Sequence, residues 1–294
     1  MLKRMEVFMI ASILILVTSI VMVVYTMERE QEFRAHNRDI QTAVVDSAVY
    51  AIDLQLENKR RHVNLFLEEY FRLFRHLERF PDDEISAERV QKRLQQRFPD
   101  FFTFTIADHS GIPVLLDVET LVGEACQTDL HDFASKLGRA QQTTNEIFIH
   151  PQPYHYHYDV MASLNVNGNA RIFFVSFYLD EIADILKTHE IPGQQLFIVR
   201  QSDPGLIEVS REGARDKLKR NAELTPGEQN RILVFANIPG TDWRLVNLPD
   251  ADFEQDYIDG LWHEVVVVLC ITTVAYFIMI TIIFTISDRK QDEE

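Results

Sequence analysis

A run of histidine and tyrosine residues at positions 150–159 has the side chains best suited to binding or chemistry in this sequence. In a β-strand, alternate side chains face the same side of the sheet. A strand in this segment would place His155, His157 and Asp159 on one face and Tyr156 on the other. Two imidazoles and a carboxylate on one face can line a pocket for an anionic or hydrogen-bonding ligand, or they can bind a metal ion.

Tyr156 and Asp129 complete the set of candidate ligand-binding residues, because the predicted helix before this strand can bring Asp129 near it. The ordinary alternative is a strand whose tyrosines pack in the core and whose histidines form a solvated surface. The sequence has no HExxH motif and no paired cysteine ligands, so the spacing matches no zinc signature. A metal site at His155, His157 and Asp159 therefore stays open beside the other two interpretations.

Motifs for catalysis are absent from the sequence. It has no GxSxG, no P-loop and no GxGxxG. His109 and Ser110 are neighbours at a predicted turn, and neighbours in sequence do not form a catalytic triad. We therefore predict that the chain is not an enzyme and uses no cofactor.

The composition excludes further classes of function. The formal net charge of the 294 residues is −16, whereas a nucleic-acid-binding surface needs clustered Lys and Arg. The two cysteines, Cys126 and Cys270, lie far apart, and Cys270 lies within an apolar run, so no disulfide is predicted.

Two apolar segments determine the predicted topology. Residues 7–27 and 265–286 contain no charged side chain, and about 20 apolar residues suffice for a helix to cross a bilayer. Basic residues precede the first segment and follow the second. By the positive-inside rule, both termini are cytoplasmic. We expect a two-pass protein of the bacterial inner membrane with its main domain in the periplasm.

Between these segments the sequence changes from a helical to a strand-like pattern. Residues 28–80 contain no Pro or Gly, and apolar residues recur every three or four positions, which predicts a long helix with one apolar face. That face is expected to pack along the domain or against a second copy, so a homodimer is predicted. From residue 101 the period of two is typical of strands, with a returning strand at 112–116. Residues 211–221 are predicted to form a short charged helix.

The predicted domain order has two modules of unequal size between the membrane helices. Too few residues follow the second membrane helix for a signalling domain, so a signal from the outer domain is expected to pass to a partner. The predicted segments are a cytoplasmic N-terminus (1–6), a first transmembrane helix (7–27), the long helix with a larger membrane-distal module (28–192), a smaller membrane-proximal module (193–263), a second transmembrane helix (264–286) and a cytoplasmic tail (287–294).

Three short motifs occur in this order: Phe-Pro-Asp at 98–100, a predicted strand and turn at 104–111, and a predicted closing hairpin at 238–246. Together they resemble the Cache family of extracytoplasmic sensor domains. The resemblance covers about residues 28–253 and is to the double-Cache type. It implies an α+β fold of PAS-like antiparallel sheets, and a ligand-sensing role as in the input halves of chemoreceptors, histidine kinases or diguanylate cyclases. The Arg-x-Trp signature of many amino-acid-binding members is absent from the first module, so the resemblance does not support an amino-acid ligand.

The function predicted from these observations is a membrane-anchored periplasmic sensor. It would bind a small-molecule ligand and relay the signal through its transmembrane helices to an inner-membrane signalling partner. Three alternatives stay open. The chain could be a scaffold subunit of a membrane complex that senses nothing, or it could be the truncated sensor half of a diguanylate cyclase or histidine kinase. It could also be a periplasmic metal hydrolase that binds its metal through His155 and His157.

Overall fold

The structure is a computed structural model that describes residues 4–115, 124–137, 147–150, 155–166 and 169–292. These residues form an α+β protein. The helices are α1 (Arg4–Glu69), α2 (Phe71–Arg79), α3 (Glu84–Arg97), α4 (Glu124–Leu137), α5 (Asp180–His189), α6 (Pro226–Arg231) and α7 (Ala251–Asp292). The strands are β1 (Phe101–Ala107), β2 (Ile149–His150), β3 (His157–Val166), β4 (Asn169–Tyr178), β5 (Gln194–Arg200), β6 (Ile207–Ser210), β7 (Gly213–Ala214), β8 (Val234–Asn237) and β9 (Trp243–Pro249).

The chain divides into two compact units, and the first contains residues 1–40 and 250–294. It holds the apolar parts of α1 and α7, and both helices are long and apolar enough to cross a membrane. Within this unit the ring of Phe33 stacks on Tyr257 with centroids 3.9 Å apart. Arg34 Nη1 lies 2.7 Å from Glu254 Oε1.

The second unit, residues 41–249, contains two antiparallel sheets. The first sheet has the order β1-β4-β3-β2, and its longest ladder pairs β3 with β4 from His157 opposite Tyr178 to Val166 opposite Asn169. The second sheet has the order β7-β6-β5-β9-β8. The two sheets are joined near Ile147, whose backbone N–H donates to the carbonyl of Gly240 at 3.0 Å.

The apolar face of α1 forms the main core of this second unit. Its buried side chains recur at three- and four-residue steps, so one stripe of the helix is covered. The stripe packs in one cluster with Tyr158 and Phe177 of the first sheet and with Trp243 of the second. The α1 residues of this cluster are Val45, Ala48, Ile52, Leu56, Val63, Phe66 and Leu67. The helix therefore packs along its own domain.

The opposite face of the first sheet packs against α4. Strand alternation sends Met161 and Phe174 to this face, where they meet Leu130 and Phe133 of the helix. The first sheet thus lies between α1 and α4, with side chains buried on both faces.

Three predictions about elements differ from the structure. The long helix ends at Glu69, and the separate helix α2 begins after Tyr70. The predicted returning strand at 112–116 is described up to residue 115, where it forms a single bridge, between Ala107 and Pro113, and Leu116 lies outside the described residues. The predicted charged helix at 211–221 is wrong, because this segment forms β7 and a 3₁₀ turn at Arg215–Lys217. Gly213 has a φ of 128° there, a conformation incompatible with a helix.

Candidate functional site

A cluster of polar side chains is buried between α4 and the first sheet. Helix α4 contributes Cys126 and Asp129, β2 contributes His150, and β3 contributes His157 and Asp159. The fraction of side-chain surface exposed is 5% for His150, 1% for His157 and 2% for Asp159, but 22% for Asp129. We call these five residues the α4-side cluster.

His150 bridges the two carboxylates of the cluster. Its Nε2 atom lies 3.1 Å from Asp129 Oδ2 and 3.2 Å from Asp159 Oδ2. Burial acts to lower the pKa of His150, but the interactions with Asp129 and Asp159 outweigh burial and raise the pKa above its ordinary value of 6.5. His150 therefore favours the protonated form that these carboxylates stabilise.

His157 has a different environment, although its ring centroid is only 5.5 Å from that of His150. Burial lowers the pKa of His157, and the charge of Asp159 only partly opposes this. The Nδ1 atom of His157 lies 2.7 Å from the carbonyl oxygen of His155. Because a carbonyl only accepts hydrogen bonds, Nδ1 carries the proton and the neutral ring presents the Nε2 lone pair.

The Nε2 atom of His157 faces two further groups of the cluster. Cys126 Sγ lies 3.4 Å away, and Asp159 Oδ1 lies 3.8 Å away. Asp159 is itself positioned from β4, because the Ser176 hydroxyl donates to Oδ1 at 2.6 Å. A sulfur, a nitrogen and an oxygen therefore converge in a buried space.

The turn that follows β1 holds α4 in place over this cluster. Gly111 has a φ of 84°, and a Cβ at this position would lie 2.8 Å from the carbonyl carbon and oxygen of Leu130 in α4. His131 Nδ1 lies 2.6 Å from the carbonyl oxygen of Ser110 in the same turn. The close approach of backbone to helix requires glycine here.

The five residues predicted from the sequence fall in two places. His157, Asp159 and Asp129 lie in the α4-side cluster. His155 lies outside the cluster, because it is exposed and precedes β3, which begins at the buried His157. The rings of both histidines lie near Phe102, with centroids 6.0 Å and 5.2 Å from it. His155 and Tyr156 instead line a cleft of about 210 Å³ with other residues. These are Tyr178, Leu179, Asp180, Ala214, Asp216 and Lys217.

Sequence reasoning missed Cys126, His150 and Ser176 as members or supports of the cluster. Cys126 lies three positions before Asp129 on a helix, a spacing that places both on one face and is visible in the sequence. His150 belongs to the histidine-rich run, but only the pairing of β2 with β3 brings it opposite His157. No local sequence pattern indicates a role for Ser176, because only the β3–β4 register brings it opposite Asp159.

A second buried polar group lies on the α1 side of the same sheet. Lys59 Nζ lies 2.6 Å and 2.8 Å from the two oxygens of Asp100, and 2.8 Å from Glu181 Oε2. The ammonium also lies 4.7 Å from the centroid of the Phe177 ring. We call Lys59, Asp100 and Glu181 the α1-side ion group. It joins α1, the start of β1 and α5.

The geometry of the α4-side cluster separates two kinds of chemistry. In a nucleophilic triad, the acid would contact the imidazole nitrogen opposite the nucleophile. Here Cys126 and Asp159 both face Nε2 of His157, and the other ring nitrogen contacts a backbone carbonyl. The arrangement suits the binding of a ligand or ion at one point and does not suit a proton relay.

Comparison with known proteins gives similarities at the level of solved structures. No family model matches the chain, and no curated protein matches it. It is similar to the ligand-binding domain of Mlp24 with asparagine, at 15% identity over 78% of this chain and 98% of that one, with a TM-score of 0.49.

Two chemoreceptor domains give similar values. The Pseudomonas fluorescens CtaA ligand-binding domain with L-serine has 14% identity over 74% of this chain and 99% of that one, with a TM-score of 0.46. The Campylobacter jejuni Tlp3 sensory domain with isoleucine has 14% identity over 79% and 98%, with a TM-score of 0.42.

Proposed function

We propose that this chain is a two-pass inner-membrane sensor whose periplasmic domain binds a small-molecule ligand on the α4 side of the first sheet. The α4-side cluster is the observation that carries the proposal. Burying carboxylates and imidazoles costs stability, and an apolar core of the same volume would be at least as stable. Buried titratable groups with displaced pKa values are typical of functional sites.

The helices support a path for the signal. Helix α1 continues without interruption from the apolar segment to Glu69, and its buried apolar stripe from Val45 to Leu67 belongs to the main core. Strand β9 ends at Pro249, and a single residue separates it from the start of α7 at Ala251. Binding that moves α4 against the sheet would bias the packing of these elements, and a small shift of the helices would reach an inner-membrane signalling partner.

A thermal-shift screen of the full chain in detergent micelles tests ligand binding. The panel contains organic acids, amino acids, polyamines, nucleobases and divalent metal ions. A ligand at 100 times its dissociation constant adds about 2.7 kcal/mol to the free energy of unfolding. For a domain of this size, that corresponds to several degrees in melting temperature.

Matched variants locate the site. Asp159→Asn removes a carboxylate of the cluster and is expected to abolish the shift. Asp132→Asn removes an exposed carboxylate of α4 that lies outside the cluster, and this variant is expected to retain the shift. A melting temperature that no compound changes would overturn ligand sensing and favour the scaffold function.

The relay and the oligomeric state are tested in the membrane. Photo-crosslinking from the two membrane helices in native membranes is expected to capture a second membrane protein. We also propose a homodimer through an exposed stripe of α1 formed by Tyr50, Leu54 and Leu65, because the other apolar face of α1 is buried in its own domain. A monomeric mass for the detergent-solubilised chain would contradict the dimer.

A further inference from the structure

We propose that Cys126, His157 and Asp159 form a binding site for a divalent transition-metal ion of the zinc class, and that this ion is the ligand sensed. One donor atom from each of the three residues lies within 4.8 Å of the other two, and all three side chains are buried. The assignment of the ion as the sensed ligand rests on the proposed function, whereas the assignment of the metal site does not.

The distances fit the edges of a small metal polyhedron. A tetrahedral ion with a metal–sulfur bond of about 2.3 Å and a metal–nitrogen bond of about 2.0 Å separates these two ligand atoms by roughly 3.5 Å. Cys126 Sγ and His157 Nε2 are 3.4 Å apart. His157 Nε2 and Asp159 Oδ1 are 3.8 Å apart, where a tetrahedral nitrogen–oxygen edge is about 3.3 Å. The third edge, from Cys126 Sγ to the Asp159 carboxylate, is no longer than 4.8 Å, and the ligands must draw together on binding to bring it to roughly 3.5 Å.

The groups around these ligands orient them as outer-shell residues do in metal sites. His157 Nδ1–H donates to the His155 carbonyl, which directs Nε2 toward Cys126 and Asp159. The Ser176 hydroxyl donates to the Oδ1 atom of Asp159 that faces His157. The other carboxylate oxygen of Asp159, Oδ2, lies 3.2 Å from His150 Nε2. Each of these orienting contacts is made by a group that does not itself need to bind the ion.

The donor set selects the class of ion. A thiolate sulfur and an imidazole nitrogen are soft or borderline ligands that suit zinc, cobalt, nickel or copper, whereas magnesium and calcium prefer oxygen. A divalent ion with one thiolate, one carboxylate and one neutral imidazole has no formal net charge, which suits a buried position. Three protein ligands leave a fourth position for water or another group.

Cobalt binding to the full chain tests the site. The protein is purified in detergent without a histidine tag, treated with EDTA, and titrated with Co²⁺. Coordination by Cys126 is expected to produce a sulfur-to-cobalt charge-transfer band in the near ultraviolet that saturates at one equivalent. Zn²⁺ is expected to displace the cobalt and remove the band.

Variants make the result specific to these residues. Cys126→Ser is expected to lose the charge-transfer band, while Cys270→Ser, the exposed cysteine of the other unit, retains it. His155→Ala is expected to retain the band, because the His155 group that orients His157 is its backbone carbonyl, which the substitution leaves in place. Ser176→Ala, which alters an orienting contact alone, is expected to weaken the affinity about 10- to 100-fold.

Several outcomes overturn the proposal. These are the absence of a cobalt band in the wild-type protein, an unchanged band in Cys126→Ser, or an unchanged affinity in Ser176→Ala. If Cys126→Ser does not fold, as judged by circular dichroism, Asp159→Asn replaces it, and an unchanged cobalt affinity in that variant overturns the site.

The metal site and the sensing function can be contradicted by different results. If an organic compound shifts the melting temperature and the protein shows no cobalt band, the proposed sensing function is supported and the proposed metal site is contradicted. If the cobalt band depends on Cys126 but Zn²⁺ does not change crosslinking from the membrane helices, the metal site is supported. The proposal that the ion is the sensed ligand is then contradicted.

Discussion

The two faces of the first sheet each bury carboxylates, but they neutralise them with different partners. On the α1 side, the Lys59 ammonium contacts both oxygens of Asp100 and one of Glu181. On the α4 side, Asp159 and Asp129 face the imidazole of His150, and Asp159 also faces His157. The first group joins three elements of the fold, and the second surrounds a point where ligand atoms converge.

The difference lies in the chemistry of each partner. An ammonium has no lone pair and only donates hydrogen bonds, so Lys59 can hold its carboxylates but cannot ligate an ion. An imidazole gains or loses its proton near neutral pH, so the α4-side cluster can adjust its charge to a bound ligand. We infer that the α1 side stabilises the domain and that the α4 side binds.

The largest expected effect is on the α1 side. Lys59→Met leaves Asp100 buried without its cation, and breaking a buried ion pair in this way costs about 3–5 kcal/mol of unfolding free energy. Thermal melting of the full chain in detergent, followed by circular dichroism, measures the loss. The double variant Lys59→Met, Asp100→Asn removes both charges and is expected to recover much of the stability. Equal melting temperatures for the single and double variants would contradict this explanation.

An intermediate effect is expected at the turn that supports α4. Gly111→Ala introduces a Cβ against the Leu130 carbonyl at a φ of 84°, which costs about 1–2 kcal/mol for the left-handed conformation and displaces α4. Cobalt affinity is expected to fall, although no proposed ligand is changed. Gly227→Ala is the control, because a Cβ there meets no atom within 4 Å. If both variants bound cobalt equally well, the position of α4 would not matter for the site.

A smaller stability effect is expected for Asp159→Asn. His150 keeps Asp129 at 3.1 Å and can release its proton, so the metal-free variant is expected to lose about 1 kcal/mol or less. The change in melting temperature after EDTA treatment measures this. A loss as large as that of Lys59→Met would show that the two faces have the same structural role.

The smallest effect is the pH dependence of the metal-free protein. The raised pKa of His150 adds stability that is complete below about pH 6.5 and is lost as the pH rises through the folded-state value. The lowered pKa of His157 has the opposite sign, because stability is lost as the pH falls below about 6.5. Melting temperatures from about pH 5 to about pH 9 measure both.

Single variants separate these two contributions. His150→Gln is expected to reduce the loss of stability on the alkaline side, and His157→Gln is expected to reduce it on the acidic side. His109→Gln, at an exposed position, is the control. Parallel pH profiles for all three variants would show that the cluster does not titrate as described.

Local patterns in the sequence predicted much of the fold. The absence of Pro and Gly, with apolar steps of three and four, indicated the helix that becomes α1 and α2. The period of two indicated β1 and the β3–β4 hairpin. The segment at 211–221 was predicted wrongly, because its charged residues suggested a solvated helix, whereas Gly213 and the pairing of β7 with β6 determine its conformation.

The site was harder to predict, because its residues come from three elements, α4, β2 and β3. Asp159 and His157 lie two apart in one strand, so alternation was enough to place them together. His155 precedes the paired part of the strand and stays exposed, so alternation did not indicate its exclusion from the cluster. Cys126 joins the cluster through helix packing and Ser176 supports it through strand register, and both depend on the whole domain.

One experiment compares the two faces directly. The melting temperatures of wild type, Lys59→Met and Asp159→Asn are each measured after EDTA treatment and again with saturating Zn²⁺. We predict that zinc raises the melting temperature by several degrees in wild type and Lys59→Met, although the second starts lower, and does not raise it in Asp159→Asn. An undiminished zinc shift in Asp159→Asn, or its loss in a folded Lys59→Met, would contradict the assignment of binding to the α4 side.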